Sequence, residues 1–268
     1  MTTLSITPRP GDRYEIEVYG FKRVKLYASK VMTPHGVDEP RPGENIFVNF
    51  SIEKKSLPPA FLGKEIDNEI IRFMALYHKL DPIPRKNIII LTTQKRNTDI
   101  VFEAASILEK IAPDTFYMRK HKGKPALFIT DKDVVEELVS VLGDRYSKTY
   151  PTWLVGSEFE KTFVEERLRG VMLPRKNAVE ITSSAINNEV FAQMLINQGY
   201  YLNVRNIEHK FAKNRQLWYI TLYPTTDEHV KFISLETGKT PEKRTKNVIN
   251  GTPYHRVKSV SLLQNKQR

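Results

Sequence analysis

Within residues 84–101 the chain reads Pro84-Arg85-Lys86-Asn87-Ile88-Ile89-Ile90-Leu91-Thr92-Thr93 and, after a short gap, Asn97-Thr98-Asp99-Ile100. Within residues 174–191 it reads Pro174-Arg175-Lys176-Asn177-Ala178-Val179-Glu180-Ile181-Thr182-Ser183 and then Asn187-Asn188-Glu189-Val190. Pro-Arg-Lys-Asn is identical in both. Like replaces like beyond it, at Ile89/Val179, Leu91/Ile181, Thr93/Ser183, Asp99/Glu189 and Ile100/Val190. A short match alone is weak in a chain rich in Lys and Arg. Its continuation in phase, through a strand-like run and into a helix, makes duplication the better reading. A duplicated module predicts a pseudo-twofold protein, and such proteins suit pseudo-twofold targets, as DNA-binding dimers suit near-palindromes.

Outward from the first stretch, apolar residues at helical spacing (Ile66, Ile70, Phe73, Met74, Tyr77) predict a helix over about 65–80, ended by Pro82. A strand over 87–92 and an amphipathic helix over about 98–111 follow, the latter with Ile100, Ala104, Ile107, Leu108 and Ile111 inward. Residues 115–120 and 125–130 form a hairpin around Lys122-Gly123, and Asp131 or Asp133 caps a helix reaching Leu142. After a linker over 147–152, the second copy predicts a helix over 157–173, a strand over 177–182 and a helix over about 187–197 stopped by Gly199. Paired strands over 200–207 and 216–223 complete it. A terminal helix is clear only in the first copy. The first 60 residues alternate as short strands (14–18, 23–27, 46–50) around a loop over 34–43, and strand character returns over 256–263. The organisation expected is α+β: an N-terminal β-rich segment (1–57), a first half (58–146), a second half (147–236) and a basic C-terminal segment (237–268).

With 268 residues and 40% hydrophobic content there is ample material for a core. The sequence has no long apolar run, no secretory leader pattern and no cysteine, which fits an intracellular protein of cytoplasm or nucleoid. A net charge of +11 favours a polyanionic partner, because each Lys or Arg set against a phosphate releases a counterion. No Gly-x-Gly-x-x-Gly or Walker loop is present, so nucleotide-driven chemistry is not expected. The histidines at 35, 78, 121, 209, 229 and 255 lack metal-ligand spacing; His78 stands out for lying within a predicted core helix. Ser183-Ser184 reads as a helix cap rather than a nucleophile.

The order of elements resembles the LAGLIDADG (dodecapeptide) homing endonucleases, including those embedded in inteins. Phe73-Met74-Ala75-Leu76-Tyr77-His78-Lys79-Leu80-Asp81 occupies the place of the first signature helix. Phe163-Val164-Glu165-Glu166-Arg167-Leu168-Arg169-Gly170-Val171-Met172-Leu173 occupies the second, with Leu168-Arg169-Gly170 similar to the family's Leu-Arg-Gly. The run from Thr182-Ser183-Ser184-Ala185 to Gly199-Tyr200 is similar to the family's serine-rich turn, helix and Leu-Gly ending, and the likeness covers about residues 55–225. It implies a pseudo-twofold tandem repeat forming a β-saddle on double-stranded DNA, a monomer with internal symmetry, and small residues, Ala75 and Gly170, where the signature helices touch.

The resemblance also implies Mg2+ held by an acid at the end of each signature helix. Here those places fall on Leu80 and Arg175; Asp81 is the nearest candidate for a catalytic and metal-binding role, and Glu165 and Glu166 lie too early in the helix. An arginine in that place repels a metal and attracts phosphate, so the nuclease is expected to be degenerate. Residues 28–44 faintly resemble the edge of a splicing domain. The sequence begins Met1-Thr2 and ends Lys266-Gln267-Arg268, without the splicing nucleophile or His-Asn end, which suggests a free-standing relative or a fragment of a larger precursor.

The expected DNA-binding residues recur in both copies: Arg85, Lys86, Lys95, Arg96, Arg119, Lys120, His121, Lys122 and Lys124 in the first, and Arg175, Lys176, Arg205, Lys210, Lys213 and Arg215 in the second. In a saddle they would line one concave face, with Tyr117, Asn203, Arg205 and Tyr219 as base or backbone contacts. Three functional classes follow: a duplex-DNA-binding protein of this descent with weak or lost cleavage, an active site-specific endonuclease using Asp81, and an RNA-binding, maturase-like helper.

Overall fold

The computed structural model describes residues 2–93, 98–208 and 216–263. The chain opens with short strands: β1 (Tyr14–Val18), β2 (Phe21–Lys22), β3 (Leu26–Ala28), a hairpin of β4 (Val31–Thr33) and β5 (Gly36–Asp38), and β6 (Asn45–Ile46). There follow α1 (Asn68–Lys79), β7 (Asp81–Arg85), β8 (Ile88–Thr92), α2 (Asp99–Ile111), β9 (Phe116–His121), β10 (Lys124–Ile129) and α3 (Lys132–Leu142). The same succession recurs as α4 (Glu160–Leu168), β11 (Leu173–Pro174), β12 (Val179–Ser183), α5 (Asn188–Asn197), β13 (Tyr201–Glu208), β14 (Gln216–Tyr223) and α6 (Asp227–Thr237). The chain closes with β15 (Val248–Ile249), β16 (Thr252–Pro253) and β17 (His255–Leu262). The class is α+β, as expected. The two stretches also share a strand order: the antiparallel strands run β7-β8-β10-β9 around the first and β11-β12-β14-β13 around the second.

Four local differences from the sequence reading have physical causes. Asp81-Pro82-Ile83-Pro84-Arg85 is a strand, because β7 lies at a sheet edge where proline's missing donor costs no ladder bond. Residues 34–43 are partly paired in the β4–β5 hairpin. Helix α4 ends at Leu168, since Gly170 takes φ 66°, a left-handed backbone that only glycine adopts cheaply. The second stretch is also followed by a terminal helix, α6, signalled by its ends: Thr226 accepts a hydrogen bond from His229 N, and Gly238 supplies the left-handed C-cap.

The chain forms two compact units, one of Lys54–Val171 with Ala185–Asn187, the other of Met1–Glu53, Met172–Ser184 and Asn188–Arg268. The central element of the first is α1. Asp67 caps it by accepting from Ile70 N at 2.9 Å, and Ile70, Ile71 and the whole run Phe73–His78 are buried. A helix covered on most of its circumference is an interior helix; α1 packs against α2, α3 and α4. Tyr77 donates its hydroxyl hydrogen to Gly143 O at 2.6 Å, and His78 stacks on Tyr150 at 4.3 Å with the edge of Phe163 at 5.9 Å. Asp131 caps α3, accepting from Val134 N at 3.0 Å.

In the second unit β2 joins β13 in parallel, extending that sheet to order β11-β12-β14-β13-β2. Its inner face buries Val179, Ile181, Leu202, Val204, Trp218, Ile220 and Leu222. A second sheet, β3-β1-β17-β6, brings the terminal segments together, with Tyr14 opposite Leu262 and Ile16 opposite Val260. Among the described residues, no helix is long and apolar enough to cross a membrane.

Two buried histidines couple this fold to pH. Burial, aided by Lys148 and Arg167, holds His78 well below the ordinary histidine range. Burial, aided by Arg244 and opposed by the bond to Tyr19 O, lowers His255 to about 4. Both are neutral in the folded state and protonate first in the unfolded chain. Their contribution is therefore intact above about pH 6.5 and lost on acidification at about 1.4 kcal/mol per pH unit for each. Denaturant unfolding from about pH 7 down to about pH 5 should show this loss, and His255→Phe should flatten the slope by about one proton; an unchanged slope would contradict the assignment.

Candidate nucleic-acid interface

Alternation along β13 and β14 sorts side chains onto two faces, and cross-strand register aligns them in rows. The outer face of this sheet carries the row Thr182–Tyr219–Arg205–Lys22, each residue opposite the next on adjacent strands. A second row runs Leu173–Glu180–Thr221–Asn203, and a third pairs Tyr223 with Tyr201. The arginines here lie on rings. Arg205 is 4.7 Å from the Tyr219 ring centroid, and Arg244 is 3.8 Å from Tyr201 and 4.8 Å from Tyr223. Asn203 Nδ2 donates to Tyr223 OH at 3.2 Å. Arg175 is exposed but ion-paired to Glu180, and Lys176 is exposed.

In the other unit the corresponding face carries Tyr117–Phe128–Ile90–Ile83 as one row and Arg119–Ala126–Thr92–Asp81 as another, with His121 opposite Lys124 and Arg85 opposite Ile88. Tyr117 stacks on Phe128 at 5.1 Å. Register separates the expected basic residues. Arg85, Arg119 and Lys124 share this face. Lys120, opposite Pro125, points to the other face with the core residues Leu127 and Ile129. Lys120 therefore does not line the same surface, which corrects the single-face expectation. Lys86 lies in the turn between β7 and β8, and Lys122 in the β9–β10 turn with φ 50°. Lys95, Arg96, Lys210, Lys213 and Arg215 lie outside the described residues.

The ends of α1 and α4 hold carboxylates that are already engaged. Asp81 is the first residue of β7 rather than a helix-end residue, and Arg145 Nη2 is 2.9 Å from its carboxylate. Lys148 Nζ donates to Leu80 O at 2.8 Å and to His78 O at 3.3 Å. On α4, Glu166 is buried against Lys79 Nζ (2.7 Å), Arg169 Nη1 (3.1 Å) and Arg72 Nε (3.5 Å). A hard divalent cation needs several oxygen ligands free of competing cations. Among the described residues, no group of three or more His, Cys, Asp or Glu is placed to hold one. As arranged here these residues do not fit Mg2+, and the Asp81 carboxylate is engaged in an ion pair with Arg145. The small residues differ as well: Ala75 is fully buried within α1, but Gly170 lies beyond α4, exposed, with open space where a Cβ would be. Gly170 thus lies in the turn after α4, with nothing within 4 Å of the place a Cβ would take.

Sequence reasoning passed over Tyr201, Tyr223, Arg244 and Lys22. The tyrosines were visible as alternate residues along two strands. Arg244 carried no local signal, because its place on the sheet comes from a later segment anchored by Arg244 N donating to Pro224 O at 2.7 Å.

No family model and no curated protein matches the chain. Among solved structures it is similar to mesophilic variants of the homing endonuclease I-DmoI, at 10% identity and TM-score 0.43, over 65% of this chain and 98% of that one. It is similar to I-DmoI in complex with DNA and Mn at 11% identity and TM-score 0.42, over 65% and 99%. It is also similar to the homing endonuclease I-WcaI bound to its DNA recognition sequence, at 13% identity and TM-score 0.36, over 65% and 82%.

The Glu166 cluster yields a stability test. The Lys79 and Glu166 side chains are 2% and 3% exposed. Glu166→Ala leaves a buried ammonium without its partner and should cost about 3–5 kcal/mol in denaturant unfolding. The double variant Glu166→Leu/Lys79→Met should recover much of that loss. A loss in the double variant equal to the sum of those in Glu166→Leu and Lys79→Met alone would mean that the pair is not coupled.

Proposed function

We propose that the protein recognises double-stranded DNA as a LAGLIDADG-type homing endonuclease relative, a monomer whose two similar halves form a β-saddle and whose metal-dependent cleavage is weakened or lost. The observation that carries this reading is the outer row Thr182–Tyr219–Arg205–Lys22, with its arginine oriented on a ring. Same-face residues on a strand repeat at about 6.7 Å, close to two base-pair steps of about 3.4 Å, and an antiparallel ribbon fits the major groove. Arg205 suits guanine and Asn203 suits adenine, because their paired donors and acceptors match those base edges. Arg85, Arg119 and Lys124, together on one face of the other sheet, extend the same chemistry to the first half. The common strand order of the two sheets supports the paired architecture. The loss of cleavage is supported by the cations that engage Asp81 and Glu166.

A randomised duplex library incubated with Mg2+ or Mn2+, with bound and cut fractions sequenced separately, tests both parts. Enrichment of a near-palindromic motif among uncut sequences is expected, with affinity falling steeply with salt. Arg205→Ala should lower specific affinity by about 1–3 kcal/mol and relax base preference locally. Preference for folded RNA would overturn the duplex reading, and cleavage at a defined site would overturn the loss of nuclease activity.

A further inference from the structure

The outer row of the β13 sheet ends on a strand that neither copy of the repeat supplies. β2 comes from the N-terminal segment and lies parallel to β13, with Val204 N donating to Gly20 O at 2.7 Å. Phe21 is buried beside Val204 and Lys22 exposed beside Arg205, so β2 obeys the inside–outside alternation of the sheet that it extends. Gly20 makes this approach possible: its φ is +93°, and a Cβ there would lie 2.5 Å from Asn203 Oδ1.

Directly after β2 the chain turns through Arg23, whose φ of 57° is uncommon for a residue with a side chain. Around this turn is an open recess of about 730 Å³, lined by Tyr19, Lys22, Arg23, Lys25, Lys258 and Glu17 among others. Lys25 is paired with Glu15 at 2.7 Å and Lys258 with Glu17 at 3.0 Å. Lys22 and Arg23 have no ion-pair partner among the described residues, and Tyr19 is 56% exposed.

We propose that this recess seats the sugar-phosphate backbone of duplex DNA at one wall of the groove read by the sheet, so that the N-terminal strands add phosphate contacts along one side of the bound segment. The inference rests on the duplex-binding reading above. Dimensions favour it. From Thr182 to Lys22 the row crosses three strand intervals, or about 14 Å, whereas the major groove is about 12 Å wide. A row centred on base edges at Tyr219 and Arg205 therefore places Lys22 at the groove wall, where the phosphates are. The charge distribution points the same way. The recess is far larger than one phosphate, and its cations are spread over its rim rather than converging on a point, which suits a polyanion. Arg23 can grip a phosphate with two N–H groups, and the Tyr19 hydroxyl can donate to its neighbour.

The test compares wild type with Lys22→Glu/Arg23→Glu in affinity and salt dependence on a random-sequence DNA duplex, in base preference with the library, and in hydroxyl-radical footprints on a duplex selected from it. Both residues are exposed, so thermal unfolding should be unchanged; Lys22→Gln/Arg23→Gln removes the charge without introducing repulsion. The Glu pair should bind about tenfold more weakly, with a salt slope shallower by about two, and its footprint should lose backbone protection along one wall of the groove while the base preference of the selected motif stays unchanged. A changed base preference would place these residues on base edges and overturn the backbone assignment. Unchanged affinity, slope and footprint would overturn the inference while leaving the sheet reading intact. If wild type binds no duplex but Arg205 matters for another polyanion, the duplex reading itself fails and this inference with it.

Discussion

The register of β12, β14 and β13 is the constraint on which the candidate interface depends. Strand side chains alternate with a period of two, so a slip by one residue would turn Arg205, Tyr219 and Asn203 into the core and expose Val204, Ile220 and Leu202. Trp218 opposes that slip. It is fully buried, opposite Ser183 on one side and Asn206 on the other, with the Phe50 ring 6.5 Å away. Full burial of such a side chain is worth several kcal/mol over exposure, which exceeds anything that the polar outer face gains by rearranging. The core therefore decides which residues face outward, and the outward residues need only be compatible with solvent. This leaves that face able to carry arginine, asparagine and tyrosine without a stability penalty.

A different economy governs the helices. Between α1 and α4, carboxylate and cation are buried together at Glu166 and Lys79, and burial pushes the Lys79 ammonium below its ordinary range while the partner carboxylate opposes that shift. Such a pair adds little net stability over an apolar pair of equal volume, yet it penalises any sliding of one helix along the other that separates the charges. It also commits the carboxylate. A metal at these helix ends would have to displace Lys79, Arg72 and Arg169 from Glu166, and Arg145 from Asp81. The same electrostatics that sets the helix pair thus works against a divalent cation.

Much of this was legible in the sequence wherever local signals agreed with burial. The helices α2, α3 and α5 and the hairpin around Lys122-Gly123 carried clean periodicity and punctuation, and they appear within about two residues of their expected limits. Illegible elements were those whose cause lies elsewhere in the chain. β7 carries two prolines that local rules exclude from a strand, and only its edge position excuses them. α6 buries little beyond Ile233, so its apolar spacing was weak although both caps were present. Gly170 resembles a helix-contact glycine by its neighbours, but its backbone conformation makes it a helix terminator. For the candidate interface, parity along a strand is readable, and it puts Asn203, Arg205 and Tyr219 on one face, as the register does. Which cations share a face across strands depends on pairing, and that separates Lys120 from Arg119.

The stacking of Arg205 and Arg244 on tyrosines bears on how such a face could bind. A free arginine loses roughly 0.5–1.5 kcal/mol of side-chain freedom when an interface immobilises it. A cation over a ring gains about 0.5–1 kcal/mol at an exposed site. Stacking therefore offsets much of the ordering cost before any ligand arrives. It does so without consuming hydrogen-bonding capacity, because the guanidinium offers its flat face to the ring and keeps its N–H donors in the plane, pointing outward. Lysine could not do this, since its compact ammonium has no flat face and its donors rotate freely. At Arg205, 4.7 Å from the Tyr219 ring, the sheet presents donors whose direction is set by the fold, whereas Arg244, held between Tyr201 and Tyr223, already donates its Nε–H to Lys246 O at 3.1 Å. Direction is what a base edge or a phosphate oxygen requires, and it is what distinguishes this face from a merely basic one.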